Sequence, residues 1–247
     1  MAERRFVVEG PQAVREALAG PGLLELFYEA GRHDDMVAMA RAAGTDTVEV
    51  TAAVLGAMSD TVTPQGLVGT ATLLDVELAA VPPAKLVAVL EQVNDPGNAG
   101  TVIRTADAAG AEAVVLTDGS VDPHNAKCVR ATAGSLWHLP VVSGAGLEDA
   151  VRRLRELGLQ VLATTGTGDD DLDALADGGV LANPTAWLFG AEAAGLSDQA
   201  LALADRTVRI PMHGRAESLN LSAAAAVCLY ASARAHRESS TPGAIQP

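Results

Sequence analysis

Leu86-Val87-Ala88-Val89-Leu90-Glu91-Gln92-Val93-Asn94-Asp95-Pro96-Gly97-Asn98-Ala99-Gly100-Thr101-Val102-Ile103-Arg104 reads as a single strand-to-helix step. The aliphatic run 86–90 is short, as in a strand buried on both faces. Asp95-Pro96-Gly97-Asn98 makes a loop, and 99–109 reads as a helix with Asn98 at its start, where an Asn side chain accepts a backbone N–H bond. The step repeats along the chain. Apolar runs at 113–116, 159–164 and 186–189, with further strands at 140–142 and 207–210, are separated by helical stretches at 124–133, 146–157, 198–204 and 218–237. Such alternation predicts an α/β fold, with a mostly parallel sheet covered by helices on both faces.

Residues 1–78 read as a smaller α/β unit. Helices are expected at 11–19, 34–43 (from an acidic cap) and 51–58, and strands at 23–28, 47–50 and 66–74. Val81-Pro82-Pro83 breaks regular structure and marks 79–84 as a linker. A second domain then occupies 85–238, and the polar, proline-containing 239–247 is expected to fray as a flexible tail.

The chain has 247 residues, 49% of them hydrophobic, enough to fill a core. No apolar run approaches the roughly 18 residues a membrane span needs. Met1-Ala2-Glu3-Arg4-Arg5-Phe6 lacks the apolar core of a secretion signal, so a cytoplasmic location with no membrane partner is expected. Cys128 and Cys228 fall in predicted helices and are expected as buried, reduced thiols. The net charge is −14, divided equally on either side of Pro83. That balance argues against broad electrostatic attraction to nucleic acid, which needs clustered Lys and Arg. Arg4 with Arg5, Lys127 with Arg130, and Arg209 with Arg215 are the local basic candidates.

The loop at Asp95–Asn98 lies at the carboxyl edge of the predicted sheet, where α/β proteins build sites. Arg104 stands on a helix of small and apolar residues, so its guanidinium needs a partner or an exit to solvent. Two later segments share this placement after a strand. They are Leu188-Phe189-Gly190-Ala191-Glu192-Ala193-Ala194-Gly195-Leu196, and Ile210-Pro211-Met212 running into Glu217-Ser218-Leu219-Asn220-Leu221-Ser222. Gly190 and Gly195 permit close backbone approach or a positive φ. In the last helix Leu219, Ala223, Ala226, Val227 and Tyr230 are spaced along one face, as in a core helix. A nicotinamide site is disfavoured because Gly166-Thr167-Gly168-Asp169-Asp170-Asp171 lacks the third glycine of the fingerprint. His33, His124, His138, His213 and His236 show no metal-ligand spacing, and no metal is expected.

In order and separation the three segments resemble the signature motifs of the SpoU (TrmH-like) branch of the SPOUT methyltransferases, over roughly residues 4–237. Val7-Val8-Glu9-Gly10-Pro11-Gln12-Ala13-Val14 and Thr61-Val62-Thr63-Pro64-Gln65-Gly66 resemble the amino-terminal, L30e-like substrate-binding domain of many members. The resemblance implies transfer of a methyl group from S-adenosylmethionine to a ribose 2′-hydroxyl of RNA, with rRNA favoured over tRNA. It also implies a carboxy-terminal trefoil knot, which periodicity does not reveal, and a homodimer that uses the last helix. Arg104, Asn98, Glu192, Ser218 and Asn220 match the catalytic positions. Gly190, Ile210 and Leu219, with Thr164, Thr165, Gly166, Leu188 and Met212, fall at the cofactor. Arginine is a poor base because its pKa exceeds about 12. The preferred role for Arg104 is therefore to orient RNA phosphate and stabilise a developing alkoxide; a direct base role is the alternative. A noncatalytic RNA-binding protein of the same fold is the rival, disfavoured because every polar position of the motifs is filled.

Overall fold

The computed structural model describes residues 4–240 apart from Asp60, Val62 and Ala193. Expectations for 241–247, for Met1-Ala2-Glu3 and for the three excepted motif and loop residues lie outside the described residues. The chain begins with β1 (Arg5–Glu9), α1 (Pro11–Ala19), β2 (Glu25–Glu29), α2 (Asp34–Ala42), β3 (Asp46–Val50), α3 (Ala52–Met58) and β4 (Leu67–Thr72). These strands form a sheet in the order β1-β4-β2-β3. β4 runs antiparallel to both β1 and β2, and β3 is parallel to β2. The first strand was not foreseen. Its alternation of exposed and buried residues, with Phe6 and Val8 inward, is brief enough to pass for a loop before Gly10. α2 begins after His33, held at φ 56°, with Asp34 and Asp35 in its first turn instead of at the cap.

The second sheet is built from β5 (Leu86–Glu91), α4 (Pro96–Ala109), β6 (Ala113–Thr117), α5 (Ala126–Thr132), β7 (Val141–Ala145), α6 (Leu147–Glu156), β8 (Gln160–Thr164), β9 (Asp170–Asp171), α7 (Leu172–Asp177), β10 (Thr185–Gly190), α8 (Asp198–Leu203), β11 (Arg206–Arg209) and α9 (Leu221–Ser240). Its order is β7-β6-β5-β10-β8-β11-β9, and every pairing is parallel. Alternate residues of the central strands enter different cores. Leu86, Ala88 and Leu90 with Trp187 and Phe189 face one side, and Val87 and Val89 with Ala186 and Leu188 face the other. Both faces are thus covered, which is why these strands read as unbroken apolar runs. Trp187 keeps its indole N–H satisfied inside the core by donating to Ser232 Oγ at 3.0 Å.

The chain runs outward from β5 through β6 to β7, and places β10 on the other side of β5. The order therefore reverses at the β5/β10 pair, and the crevice at the carboxyl ends of these strands is where a doubly wound sheet binds ligands. β9 and α7 were not anticipated, because an Asp-rich stretch is a poor strand by propensity. It is held as an edge by Arg206 to Asp170 at 3.1 Å and Arg209 to Asp171 at 3.4 Å.

The smaller sheet is joined to the larger through α5 and its flanks. Arg130 Nη1 donates to the buried Glu9 carboxylate at 2.6 Å, and the Phe6 ring lies 4.8 Å from His124 and 6.0 Å from Trp137. The expected linker is docked: Val81 is buried, and Arg153 Nη2 donates to the carbonyls of Ala79 and Val81. Cys128 and Cys228 are buried free thiols, and burial pushes the Cys128 pKa up to about 12 and that of Cys228 up as well. No helix among the described residues is long and apolar enough to cross a membrane.

Candidate active site

The site starts at the carboxyl end of β5. Asp95 caps α4, taking the Asn98 backbone N–H at 2.8 Å with Pro96 in the first turn. This corrects the expectation that Asn98 is the cap. Capping three residues earlier leaves the Asn98 side chain free to turn outward from the helix, and the Lys127 ammonium, 2.9 Å away, holds the Asp95 carboxyl below its usual pKa.

The freed Asn98 amide is spent on both of its faces. Its NH2 donates to Glu192 Oε1, and its oxygen accepts from Asn220 Nδ2 at 3.2 Å and from Ser222 Oγ at 3.0 Å. Residues from all three sequence segments therefore form one hydrogen-bonded chain. Ser222 was not singled out, because it was read as part of a continuous helix. The helix in fact starts at Leu221, so Ser218, Leu219 and Asn220 belong to the preceding loop. Asn220 closes that loop onto α9 by accepting the Ser222 N–H at 2.8 Å.

Beside this chain lies a cavity of about 270 Å³. Thr164 at the end of β8 with Thr165 and Gly166 after it, Gly190 at the end of β10 with Glu192 after it, Ile210 and Met212 after β11, and Ser218 and Leu219 before α9 all line it. Among the expected cofactor residues Leu188 is the exception. It is fully buried, and its carbonyl accepts Thr164 Oγ1 at 3.0 Å, so it supports the wall from behind. Gly190 is needed for a reason the sequence did not show. A Cβ there would overlap the backbone of Gly195 and Leu196, so the loop folds tightly over its own start. Gly195, at φ 69°, makes that return possible and donates its N–H to the Ala191 carbonyl at 2.8 Å. Gly166 differs: nothing lies within 4 Å of a Cβ placed there.

Arg104 is not brought into the cavity. It sits on the exposed side of α4, away from Ala99, Val102, Ile103 and Ala106, which are buried. Its guanidinium has no ion-pair or hydrogen-bond partner among the described residues. The basic candidates are mostly neutralised: Arg4 pairs with Asp75 at 3.4 Å, Arg5 with Glu25 at 3.8 Å, Lys127 with Asp95, Arg130 with Glu9 and Arg209 with Asp171. The face of α9 read as a core stripe is open. Val227 and Tyr230 are 41% and 51% exposed, as is Leu219 at 38% in the loop before the helix, whereas Leu221, Ala225, Cys228 and Leu229 point into the core.

Residues 85–230 match the SpoU rRNA Methylase family model, and residues 1–69 match that of the MRM3-like substrate binding domain. The chain is 33% identical to the 23S rRNA (guanosine(2553)-2′-O)-methyltransferase RlmP of Bacillus subtilis, over 91% of this chain and 87% of that protein. Among solved structures, an AdoMet-bound rRNA methyltransferase from Sinorhizobium meliloti is 34% identical with a TM-score of 0.82, covering 94% of this chain and 87% of its own. The SpoU methyltransferase AviRb from Streptomyces viridochromogenes in complex with AdoMet is 30% identical with a TM-score of 0.81, covering 96% and 92%.

Proposed function

Since the chain belongs to the SpoU rRNA methylase family, we propose that it transfers a methyl group from S-adenosylmethionine to a ribose 2′-hydroxyl of 23S rRNA. The observation that carries this reading is the convergence of three distant segments on one cavity, with Asn98, Glu192, Asn220 and Ser222 hydrogen-bonded beside it. The residues fit the cofactor. Val208, Ile210, Leu219 and Leu221 offer apolar walls for an adenine, Thr164, Thr165 and Ser218 offer hydroxyls, and Gly166 leaves open space between them. When bound, S-adenosylmethionine supplies an electrophilic methyl on a sulfonium.

Glu192 brings a carboxylate to the cavity wall, where it favours a cationic ligand and fixes the Asn98 amide in one orientation. Asn98 in turn bridges Glu192 to Asn220 and Ser222, so the loop after β10 and the loop before α9, both walls of the cavity, are held to one another. Arg104 carries the charge that meets RNA. A guanidinium without a carboxylate partner is free for a phosphate, and in a chain whose other basic groups are largely paired such freedom is informative. It stabilises alkoxide charge as the ribose oxygen attacks and leaves the hydroxyl proton to the phosphate or to water.

A homodimer belongs to the same reading. Leu219 and Val227 share an apolar groove with Ile210 and Met212, which also line the cavity, Tyr230 is exposed three residues further along α9, and a second copy seated there would exclude water from the cavity. The carboxy-terminal knot implied by the motifs would account for how Ile210, Met212 and Leu219 come to line the same cavity as Gly190, Glu192 and Leu196. The test is methyl transfer from labelled S-adenosylmethionine to separate pools of unmodified rRNA and tRNA. Label in rRNA is expected; label confined to tRNA would overturn the substrate, and no label in either with no cofactor binding would overturn the activity.

A further inference from the structure

The Glu91 carboxylate lies at the carboxyl end of β5 with only 3% of the residue exposed. No Lys or Arg among the described residues pairs with it. Both of its oxygens go to one residue: Oε2 accepts the Ser197 backbone N–H at 2.9 Å, and Oε1 accepts the Ser197 hydroxyl. Ser197 then caps α8 by accepting the Ala200 N–H at 3.1 Å. A buried carboxylate held by two donors and no cation is costly for a fold to keep, since an apolar residue would fill the same space without the desolvation. Its position explains the cost. Glu91 is the register partner of Gly190 across the parallel β5/β10 pair, so one end of the loop 191–196 leaves beside it and the other end, at Ser197, returns to it.

We propose that Glu91 is a positioning residue for cofactor binding, acting through Ser197 to close the loop that carries Glu192, Gly195 and Leu196 against the cavity. Glu91 does not line the cavity itself. Its effect passes through the loop, whose other described hydrogen bonds are the Gly195-to-Ala191 backbone bond and the Glu192-to-Asn98 contact, with Leu196 packed against the apolar core behind it. Loss of the staple frees the returning end and lets the wall formed by Gly195 and Leu196 drift from the ligand. This inference rests on the reading that the cavity takes S-adenosylmethionine.

The experiment is calorimetric binding of S-adenosylmethionine and separate RNA binding by the full chain, as wild type, Glu91→Gln, Ser197→Ala and the double variant. Glu91→Gln keeps the volume, but one of its two acceptor oxygens becomes a donor. It is expected to weaken cofactor binding about ten-fold, with a higher KM for cofactor and kcat within about three-fold, and RNA affinity unchanged. Ser197→Ala keeps the backbone bond and is expected to weaken binding about three-fold, with little further loss when added to Glu91→Gln. Wild-type cofactor affinity in Glu91→Gln, or equal losses of cofactor and RNA binding, would overturn the proposal. Should Glu91→Gln not fold, Ser197→Ala decides alone: undiminished affinity there overturns it. A wild-type chain that does not bind S-adenosylmethionine would overturn the function reading and this inference with it.

Discussion

The cavity side of the site and the adjoining outer face of α4 and α9 are built in opposite ways. Beside the cavity the polar side chains that fix its loops are hydrogen-bonded to one another: Glu91 to Ser197, Asn98 to Glu192, and Asn220 and Ser222 to Asn98. On the outer face Arg104 has no partner among the described residues, and Val227 and Tyr230 are open to solvent. The contrast teaches that the cavity proposed for the cofactor is prebuilt, as suits a site whose loop geometry is fixed before binding. The face proposed to meet RNA and a second copy is left open.

The strongest way to break this comparison is Gly190→Val. The new side chain must displace the Gly195 and Leu196 backbone, so cofactor binding is expected to vanish in calorimetry and Tm to fall by about 5 °C or more. Intact binding would mean that the loop is not prebuilt. Arg104→Ala addresses the other region. It should lower kcat about 10²- to 10³-fold while cofactor affinity stays within a few-fold, because the group acts on charge at the reacting oxygen and not on the cavity. Equal loss of both would place Arg104 with the prebuilt half.

Asn98→Ala lies on the boundary and should show a mixed effect. A drop in kcat of about ten- to hundred-fold is expected with a modest rise in cofactor KM, since the amide links both walls. Tyr230→Glu should leave cofactor affinity of the folded chain nearly unchanged and shift sedimentation toward the monomer. A Tyr230→Glu chain of wild-type mass would remove this face from the dimer.

Much of this contrast was legible in the sequence, and the parts that were not have physical causes. The parallel sheet and its helices were readable because two-sided burial leaves unbroken aliphatic runs such as 86–90. Gly190, Ile210 and Leu219, placed at the cofactor by resemblance, all line the cavity. Asn98 was misread as a cap because both Asp95 and Asn98 suit that role, and only the observed hydrogen bond shows which residue takes it. Helix periodicity carried α9 back through Ser218, although Asn220 is a turn-former that stops it short. Glu91 was invisible because its partner lies across the sheet, at the end of a loop whose path no local pattern encodes. The openness of Val227 and Tyr230 could not be told from a core stripe, since a surface awaiting a partner and a surface meeting its own core use the same residues.

The smallest expected effect lies at the junction of the two sheets and serves as a control for both regions. His124, its side chain 4% exposed, accepts the Leu74 N–H at Nε2, and burial holds its pKa below 6.5. As pH falls through the unfolded value the unfolded chain takes up this proton first. Stability from His124 is therefore complete above about pH 6.5 and is lost as pH falls toward and through the lowered folded value. His138 has the opposite sign, because its bond to Asp107 raises its pKa: its contribution is full below pH 6.5 and fades as pH rises through the raised value. In a His138→Gln background, Tm should fall from about pH 7.5 to about pH 5.5, and His124→Asn should flatten that slope. Cofactor affinity at constant folded fraction should not follow it.

The most direct test of the account is to map where the methyl group goes. Unmodified 23S rRNA is incubated with labelled S-adenosylmethionine and either wild-type chain or Arg104→Ala, then hydrolysed with alkali. The account predicts label in one alkali-resistant dinucleotide for wild type and none for Arg104→Ala, although that variant still binds cofactor. Label on a base, released as an ordinary mononucleotide, would contradict ribose 2′-O transfer, and undiminished label with Arg104→Ala would contradict the division of labour between the two regions.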